Sequence, residues 1–341
     1  MIHSFDFSGD FSFGFAGKKV LITGGLGFIG SNVASLCVKA GAAVTLYDCL
    51  YPHSGANYYN IDSFRSSVEI RINDILDFDR LSEAVAGQDL IINCAASTSH
   101  VLSMSEPWLN QEVNDRGMIN LLEAIRRFNP DARLIHLGTT TQLGPLQYQP
   151  ADEKHPEFPA DIYSANKSVS EKYTLIYARA HDLRTTVLRF PNVYGPRANI
   201  QSPEFTFNNF FIGLALQNEA ITVYGEGGQM RNVLHVDDVA AAILQASQMD
   251  SMIGQVYFVV SDEHYSVKEI AELTVRNIGS GRVVSVPWPE GKQKIDMGDA
   301  IISNKKFTSA CGWQPQITIE QGLQQTAEYF RPCLQKYLEL E

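Results

Sequence analysis

The stretch K18-KVLITGGLGFIGSNV-A34 decides the fold. Val20, Leu21 and Ile22 form a short apolar run of the kind that makes a buried strand, and from Ile29 to Ala40 apolar residues recur at helical spacing. Gly24, Gly27 and Gly30 stand between the two, three residues apart. They therefore sit on a strand-to-helix turn, where glycine permits positive φ and close approach of another group to the backbone.

Outward from this turn, strand-like runs alternate with helical stretches. The runs are Val20–Thr23, Ala43–Tyr47, Val68–Ile72, Leu90–Cys94, Arg133–Leu137 and Thr185–Arg189. Crossovers of a dozen or more residues between apolar runs predict a parallel sheet covered on both faces. The expected fold is α/β, a Rossmann-type doubly wound parallel sheet with a smaller C-terminal substrate-binding lobe. Residues 1–17 read as an N-terminal tail, 18–190 as the dinucleotide-binding domain and 191–341 mainly as the second lobe. Within the latter, 233–260 is expected to return to the first domain, because His235–Ser247 reads as a helix. Phe5, Phe7, Phe11, Phe13 and Phe15 alternate in the tail without a readable role.

The chain has 341 residues and a formal charge of −11. Such an acidic chain without clustered Lys and Arg argues against a nucleic-acid binder. No apolar run approaches the roughly 20 residues that span a bilayer, and the N-terminus lacks the pattern of a targeting segment. A cytoplasmic, non-membrane protein is expected. Five cysteines without CxxC spacing point to free thiols and to no metal site.

At a strand-to-helix turn, exposed N–H groups and the helix dipole suit a pyrophosphate. Asp48 ends the next strand about 20 residues on, where a carboxylate can bind the hydroxyls of an adenine ribose. A 2′-phosphate would be repelled there, so NAD is favoured over NADP. The alternative is a strand-end Asp that caps a turn. Asp74, with Ile75 beside it in "IRINDIL", is a candidate for the adenine edge, and both belong to the expected cofactor site. Ala95, Ala96 and Ser97 in "INCAAST" are small enough to let a dinucleotide lie across the strand ends, although tight packing would select the same residues. Phe28 and Ile29, within the glycine turn, complete the expected cofactor set.

Farther on, "LGTTTQLG" ends the fifth strand with hydroxyls, and Tyr163 and Lys167 lie four apart in "DIYSANKSVSEKY", on one helix face. The chain here resembles the extended short-chain dehydrogenases/reductases, in their NAD-dependent nucleotide-sugar epimerase/dehydratase branch that includes UDP-glucose 4-epimerases. The resemblance runs from Lys18 to about Phe330. It is carried by "TGGLGFIG", Asp48, "NCAA", "NDRGMINLLEA", "TTTQLG", "YSANK", "RFPNVYGPR", "VYGEGGQMRNVLHVDD" and "CGWQP".

The resemblance implies Tyr163 as the acid or base toward a sugar hydroxyl, Lys167 as the group that lowers its pKa and holds the nicotinamide ribose, and Thr139 as a hydrogen-bond donor to the same oxygen. Thr139 is chosen over its neighbours because it lies five residues before Gly144. An ammonium and a nicotinamide cation would both stabilise the phenolate. The resemblance also implies Asn192 and Arg231 at the substrate diphosphate, where a guanidinium fork suits phosphate oxygens. Thr140, Asn208 and Tyr224 are further substrate candidates, with Phe207, Asn209 and Phe210 as possible pocket walls or plain core.

Departures from the family pattern are Cys49 where Asn is common, Asn232 where Asp follows the arginine, and "ISNKKF" without its usual acid. A 4,6-dehydratase needs an Asp-Glu pair directly after Thr139, and a UDP-glucuronate decarboxylase wants Glu at position 140. The chain has Thr140 and Thr141. The expected activity is epimerisation of a nucleotide-diphosphate sugar through a transient keto-sugar, foremost at C4 of a UDP-hexose. Alternatives are a tyvelose-type C2 epimerase, a nucleotide-4-ketosugar reductase and, remotely, a non-catalytic NAD-binding sensor or scaffold. Helices at 109–128 and 162–180 carry enough apolar positions for a homodimer, as relatives form.

Overall fold

The computed structural model describes residues 14–52, 54–289 and 298–339. Phe5, Phe7, Phe11 and Phe13 lie outside them, while Phe15 is buried in the first core.

Seven parallel strands form the central sheet: β1 (Lys19–Thr23), β2 (Ala43–Asp48), β3 (Val68–Ile72), β4 (Leu90–Asn93), β5 (Arg133–Thr139), β6 (Arg184–Phe190) and, after an excursion, β11 (Gln255–Phe258). Their spatial order is β11-β6-β5-β4-β1-β2-β3. The order reverses beside β1, between β1 and β4, and in such sheets this is where the strand ends open a crevice for a ligand. β1 and β4 to β6 are buried nearly end to end because helices cover both faces.

The first half of the chain supplies α1 (Phe28–Lys39), α2 (Phe78–Val85), the short α3 (His100–Ser105) and α4 (Pro107–Gln111), a π-turn at Glu112–Arg116, α5 (Gly117–Phe128) and α6 (Ile162–His181). α2, α5 and α6 cover one face over a core of Leu81, Leu121, Leu122, Ile125 and Leu134. Covering the other face is α1, together with α8 (Val236–Ser247), over Val33, Leu46, Val239 and Ile243.

Between β6 and α8 the chain builds β7 (Asn192–Tyr194), α7 (Phe207–Leu216), β8 (Ala220–Tyr224), β9 (Met230–Arg231) and β10 (Val233–His235). β10 pairs with β7, and β11, which follows α8, pairs with β6 as the edge of the main sheet. The remaining elements are β12 (Tyr265–Ser266), α9 (Val267–Ile278), β13 (Arg282–Val286), α10 (Lys305–Cys311), α11 (Ile319–Phe330) and α12 (Leu334–Leu338). A separate core of Phe211, Ile212, Ile221, Ile270 and Leu323 joins α7, α9 and α11 to β8.

Candidate active site

Most of the sequence-predicted residues lie at or after the C-terminal ends of β1 to β5; Tyr163 and Lys167 lie on α6, Asn192 on β7, Asn208 on α7, Tyr224 on β8 and Arg231 on β9. Gly24 leaves β1 with φ +64°, and a Cβ there would meet the Cys94–Ala95 backbone at 2.8 Å. A Cβ on Gly30 would come within 2.2 Å of the Gly24 carbonyl oxygen. The turn is thus closed onto α1 to a degree only glycine permits. Gly27 is the extended N-cap of α1, with no side-chain cap and no acidic residue in the first turn. The first amides of the helix lie beside this turn with no acid to compete for them, a cradle suited to a pyrophosphate.

Asp48 ends β2 and is 7% exposed. Its two oxygens accept the amides of Leu26 at 3.0 Å and Leu50 at 2.8 Å, so it fastens the glycine turn. These contacts are those of a strand-end Asp that caps a turn; a carboxylate oxygen accepts a second hydrogen bond beside the first, which leaves acceptor capacity for a ribose hydroxyl. Burial raises its pKa against the two amide contacts. Asp74 is exposed and caps Leu76, Ile75 is buried, and Gly117 leaves Ile75 its room. Ala95, Ala96 and Ser97 are half-buried after β4. Asn110 and Asn114 both donate to the Ser97 carbonyl at 3.0 Å, fixing that segment.

Tyr163 and Lys167 lie one turn apart on α6 and are both buried, at 8% and 4% exposure. Asp161 caps this helix by accepting the Ser164 amide, and Ser103 of α3 accepts the Tyr163 amide. Lys167 Nζ donates to the Leu137 carbonyl at 2.5 Å. Burial lowers the ammonium to about 8 against the pull of Glu171, Cys94 and Asp115. Tyr163 moves the other way: burial and the Asp161 charge push its phenol well up, while a hydrogen bond from Thr139 pulls it down. Lys167, expected to depress the tyrosine, is not among the groups that shift it. Desolvation of both residues outweighs their proximity.

Thr139 ends β5 and accepts the Thr141 amide at 3.2 Å. Thr140, a substrate candidate, is buried at 6% exposure beside Thr139 at 9%, where the tight turn Thr140–Leu143 begins. Thr141 is the half-buried hydroxyl of the pair. Glu157 and Glu171, the carboxylates closest in the chain to Tyr163 and Lys167 besides Asp161, are both bound to Arg189.

On the far side, Asn208 donates to the Asn192 carbonyl at 3.4 Å, and its Oδ1 is buried without a partner among the described residues. Asn209 is structural, bonding Val193, Gly195 and Thr206. Phe207 and Phe210 pack against the second core. Arg231 donates to the carbonyls of Met230 and Gly298. Tyr224 packs its ring 5.6 Å from Trp288.

Sequence reasoning missed His100. Its Nδ1 lies 2.7 Å from Asp161, and its ring stands edge-on to Tyr163 at 4.8 Å. Only the Asp of "DIYS", at cap spacing, hinted at this pair.

Residues 20–260 match the NAD dependent epimerase/dehydratase family. The chain belongs to this family. NAD is accordingly its cofactor. Family members similar to this chain differ in reaction. The dTDP-glucose 4,6-dehydratase of Streptomyces niveus is 30% identical over 92% of this chain and 93% of its own. The CDP-paratose 2-epimerase of Salmonella typhi is 25% identical over 91% and 98%. Among solved structures, the UDP-glucose 4-epimerase of Thermotoga maritima with UDP-glucose superposes with a TM-score of 0.83 at 28% identity, covering 93% of this chain and 99% of that one. Among the described residues no cluster of His, Cys, Asp or Glu is placed to hold a metal, and no helix is long and apolar enough to cross a membrane.

Proposed function

We propose that the protein is an NAD-dependent epimerase of nucleotide-diphosphate sugars, acting foremost at C4 of a UDP-hexose. The observation that carries this reading is the pair Thr140–Thr141 directly after Thr139. One hydroxyl is buried and the other is bonded to Thr139 and Ser164. Elimination of water across C5 and C6 needs one group to take a proton and another to give one, and threonine hydroxyls do neither at neutral pH.

The cofactor, when bound, accepts and returns a hydride and brings positive charge to the site. Tyr163 Oη takes the proton of the sugar hydroxyl and later gives it back. Thr139 donates to the same oxygen. Lys167 holds the ribose side, and Asn192, Asn208, Tyr224 and Arg231 line the nucleotide side. The raised phenol of Tyr163 suits the proton-returning half of the cycle; the proton-accepting half draws on the cofactor's charge. Hydride and proton leave one carbon and its oxygen and return to them, so the product has the mass of the substrate.

A C2 epimerisation uses the same groups with the sugar seated differently, and likeness to the Salmonella typhi enzyme supports it as the second reading. Pairing of α5 and α6 with their copies would form a homodimer; Ile119 and Ile176 on these helices are exposed. The test is incubation of the NAD-loaded protein with UDP-glucose, UDP-galactose, their N-acetyl forms, dTDP-glucose and CDP-paratose. An inverted product of unchanged mass is expected. Loss of one water would replace the epimerase with a dehydratase, and consumption only of a ketosugar with NADH would make it a reductase.

A further inference from the structure

Both positions that carry carboxyls in an elimination site hold hydroxyls here, and one of them, Thr141, joins a chain. Ser164 Oγ donates to Thr141 Oγ1 at 2.9 Å, and Thr141 Oγ1 lies 3.1 Å from Thr139 Oγ1. The Thr141 amide donates to the same Thr139 oxygen at 3.2 Å. We propose that Thr141 and Ser164 are positioning residues that fix the polarity of the Thr139 hydroxyl, so that it faces the reacting sugar oxygen only as a donor. This rests on the role assigned to Thr139 above.

A hydroxyl has one hydrogen and two acceptor sites. Ser164 is 1% exposed and sits beside Tyr163 in the first turn of α6, where Asp161 holds its amide at 2.8 Å. Ser164 donates to Thr141, and the contact between Thr141 and Thr139 admits either donor; in the proposed polarity Thr141 gives its hydrogen to Thr139. The Thr141 amide already fills one acceptor site on Thr139 Oγ1, and the Thr141 hydroxyl fills the other. In that polarity the remaining hydrogen of Thr139 points away from Thr141, toward the side of the Tyr163 phenol, whose pKa the Thr139 hydroxyl lowers.

Two consequences follow for a sugar oxygen between Thr139 and Tyr163. Thr139 stabilises the negative charge that grows as the proton leaves, and it cannot compete with Tyr163 for that proton. Position 141 thus orients the hydroxyl that Tyr163 works with, where an elimination enzyme would spend it on acid-base chemistry.

Neutron diffraction from deuterated crystals of the NAD-loaded protein reads the chain directly. Deuterons are expected on Ser164 toward Thr141, on Thr141 toward Thr139, and on Thr139 toward Tyr163. A Thr139 deuteron on the line to Thr141 overturns the proposal. In turnover, Thr141→Val and Ser164→Ala are expected to lower kcat about 10-fold, at the low end of what one oriented group contributes, with KM held within about twofold. Thr141→Ser keeps the hydroxyl and should restore most of the loss, which a packing defect would not allow. Unchanged kcat in Thr141→Val, or a fall matched by a rise in KM, also overturns it. If no sugar nucleotide is turned over by the unaltered protein, the epimerase reading fails while the neutron result still decides the polarity.

Discussion

Tyr163 shows how one residue can be named from its spacing and still have a chemistry that the spacing does not contain. The four-residue step to Lys167 places both side chains on one face of α6. What sets the phenol is its surroundings: burial, the Asp161 carboxylate two residues earlier, and the Thr139 hydroxyl from β5. Asp161 is itself held below its ordinary value, with burial outweighed by His100 and Ser164. Tyr163→Phe keeps the ring against His100 and removes only the oxygen. Turnover is expected to fall by roughly 10²–10⁴-fold, the range of a general acid-base group, with NAD still bound. Near-normal rates in that variant, measured by conversion of the sugar nucleotide, would remove Tyr163 from the chemistry.

The helix that runs from α4 through the π-turn into α5 poses a problem of a different size. Its i→i+5 turn at Glu112–Arg116 presents Asp115 to the interior, 7% exposed, with Oδ1 lacking a partner among the described residues. Single π-turns of this kind often mark functional positions. Burial pushes the Asp115 carboxyl up to about 7 against the attraction of Lys167. A carboxyl raised on folding favours the native state fully below its ordinary value near 3.8, and this contribution is lost as pH rises through about 7. Asp115→Asn removes the titration. The variant should therefore gain thermal stability relative to the parent at pH 8.5, and less or none at pH 4. Equal differences at the two pH values in calorimetric scans would contradict the burial argument.

Across the whole molecule, the C-terminal segment reaches the cofactor cradle. Tyr329 and Tyr337 hydroxyls meet at 2.6 Å, Tyr337 donates to Asn60 Oδ1 at 2.8 Å, and Asn60 donates to the Leu26 carbonyl at 2.8 Å. Leu26 is in the glycine turn and its amide is the one held by Asp48. The last helix thus steadies the first loop through two buried side chains. Tyr337→Phe would leave Asn60 short of a partner, which costs about 1–3 kcal/mol for a buried polar group. A lower unfolding midpoint and faster loss of NAD on gel filtration are expected together. A variant that loses stability but retains NAD as the parent does would confine Tyr337 to a packing role.

The sequence by itself determined the doubly wound parallel sheet through its first six strands and the glycine turn after the first, while the seventh strand, β11, emerged only in the structure. The six strands and the turn depend on local rules that a one-dimensional string records: apolar runs between helical periods, glycines at a turn where a Cβ cannot fit, and an acid at the end of the next strand. The family resemblance named Tyr163, Lys167 and Thr139, and the four-residue spacing by itself put Tyr163 and Lys167 on one helix face. Only the tertiary structure decided what these groups face. His100 reaches Tyr163 from 63 residues away, Ser164 meets Thr141 across 23, and Tyr337 meets Asn60 across 277. It also decided that Thr140 is buried while Thr141 joins the hydroxyl chain. Contacts of this kind arise from how β5, α3, α6 and the C-terminal segment pack together. No residue carries that arrangement in its own neighbourhood of the chain, because burial and hydrogen bonding are properties of the folded surroundings.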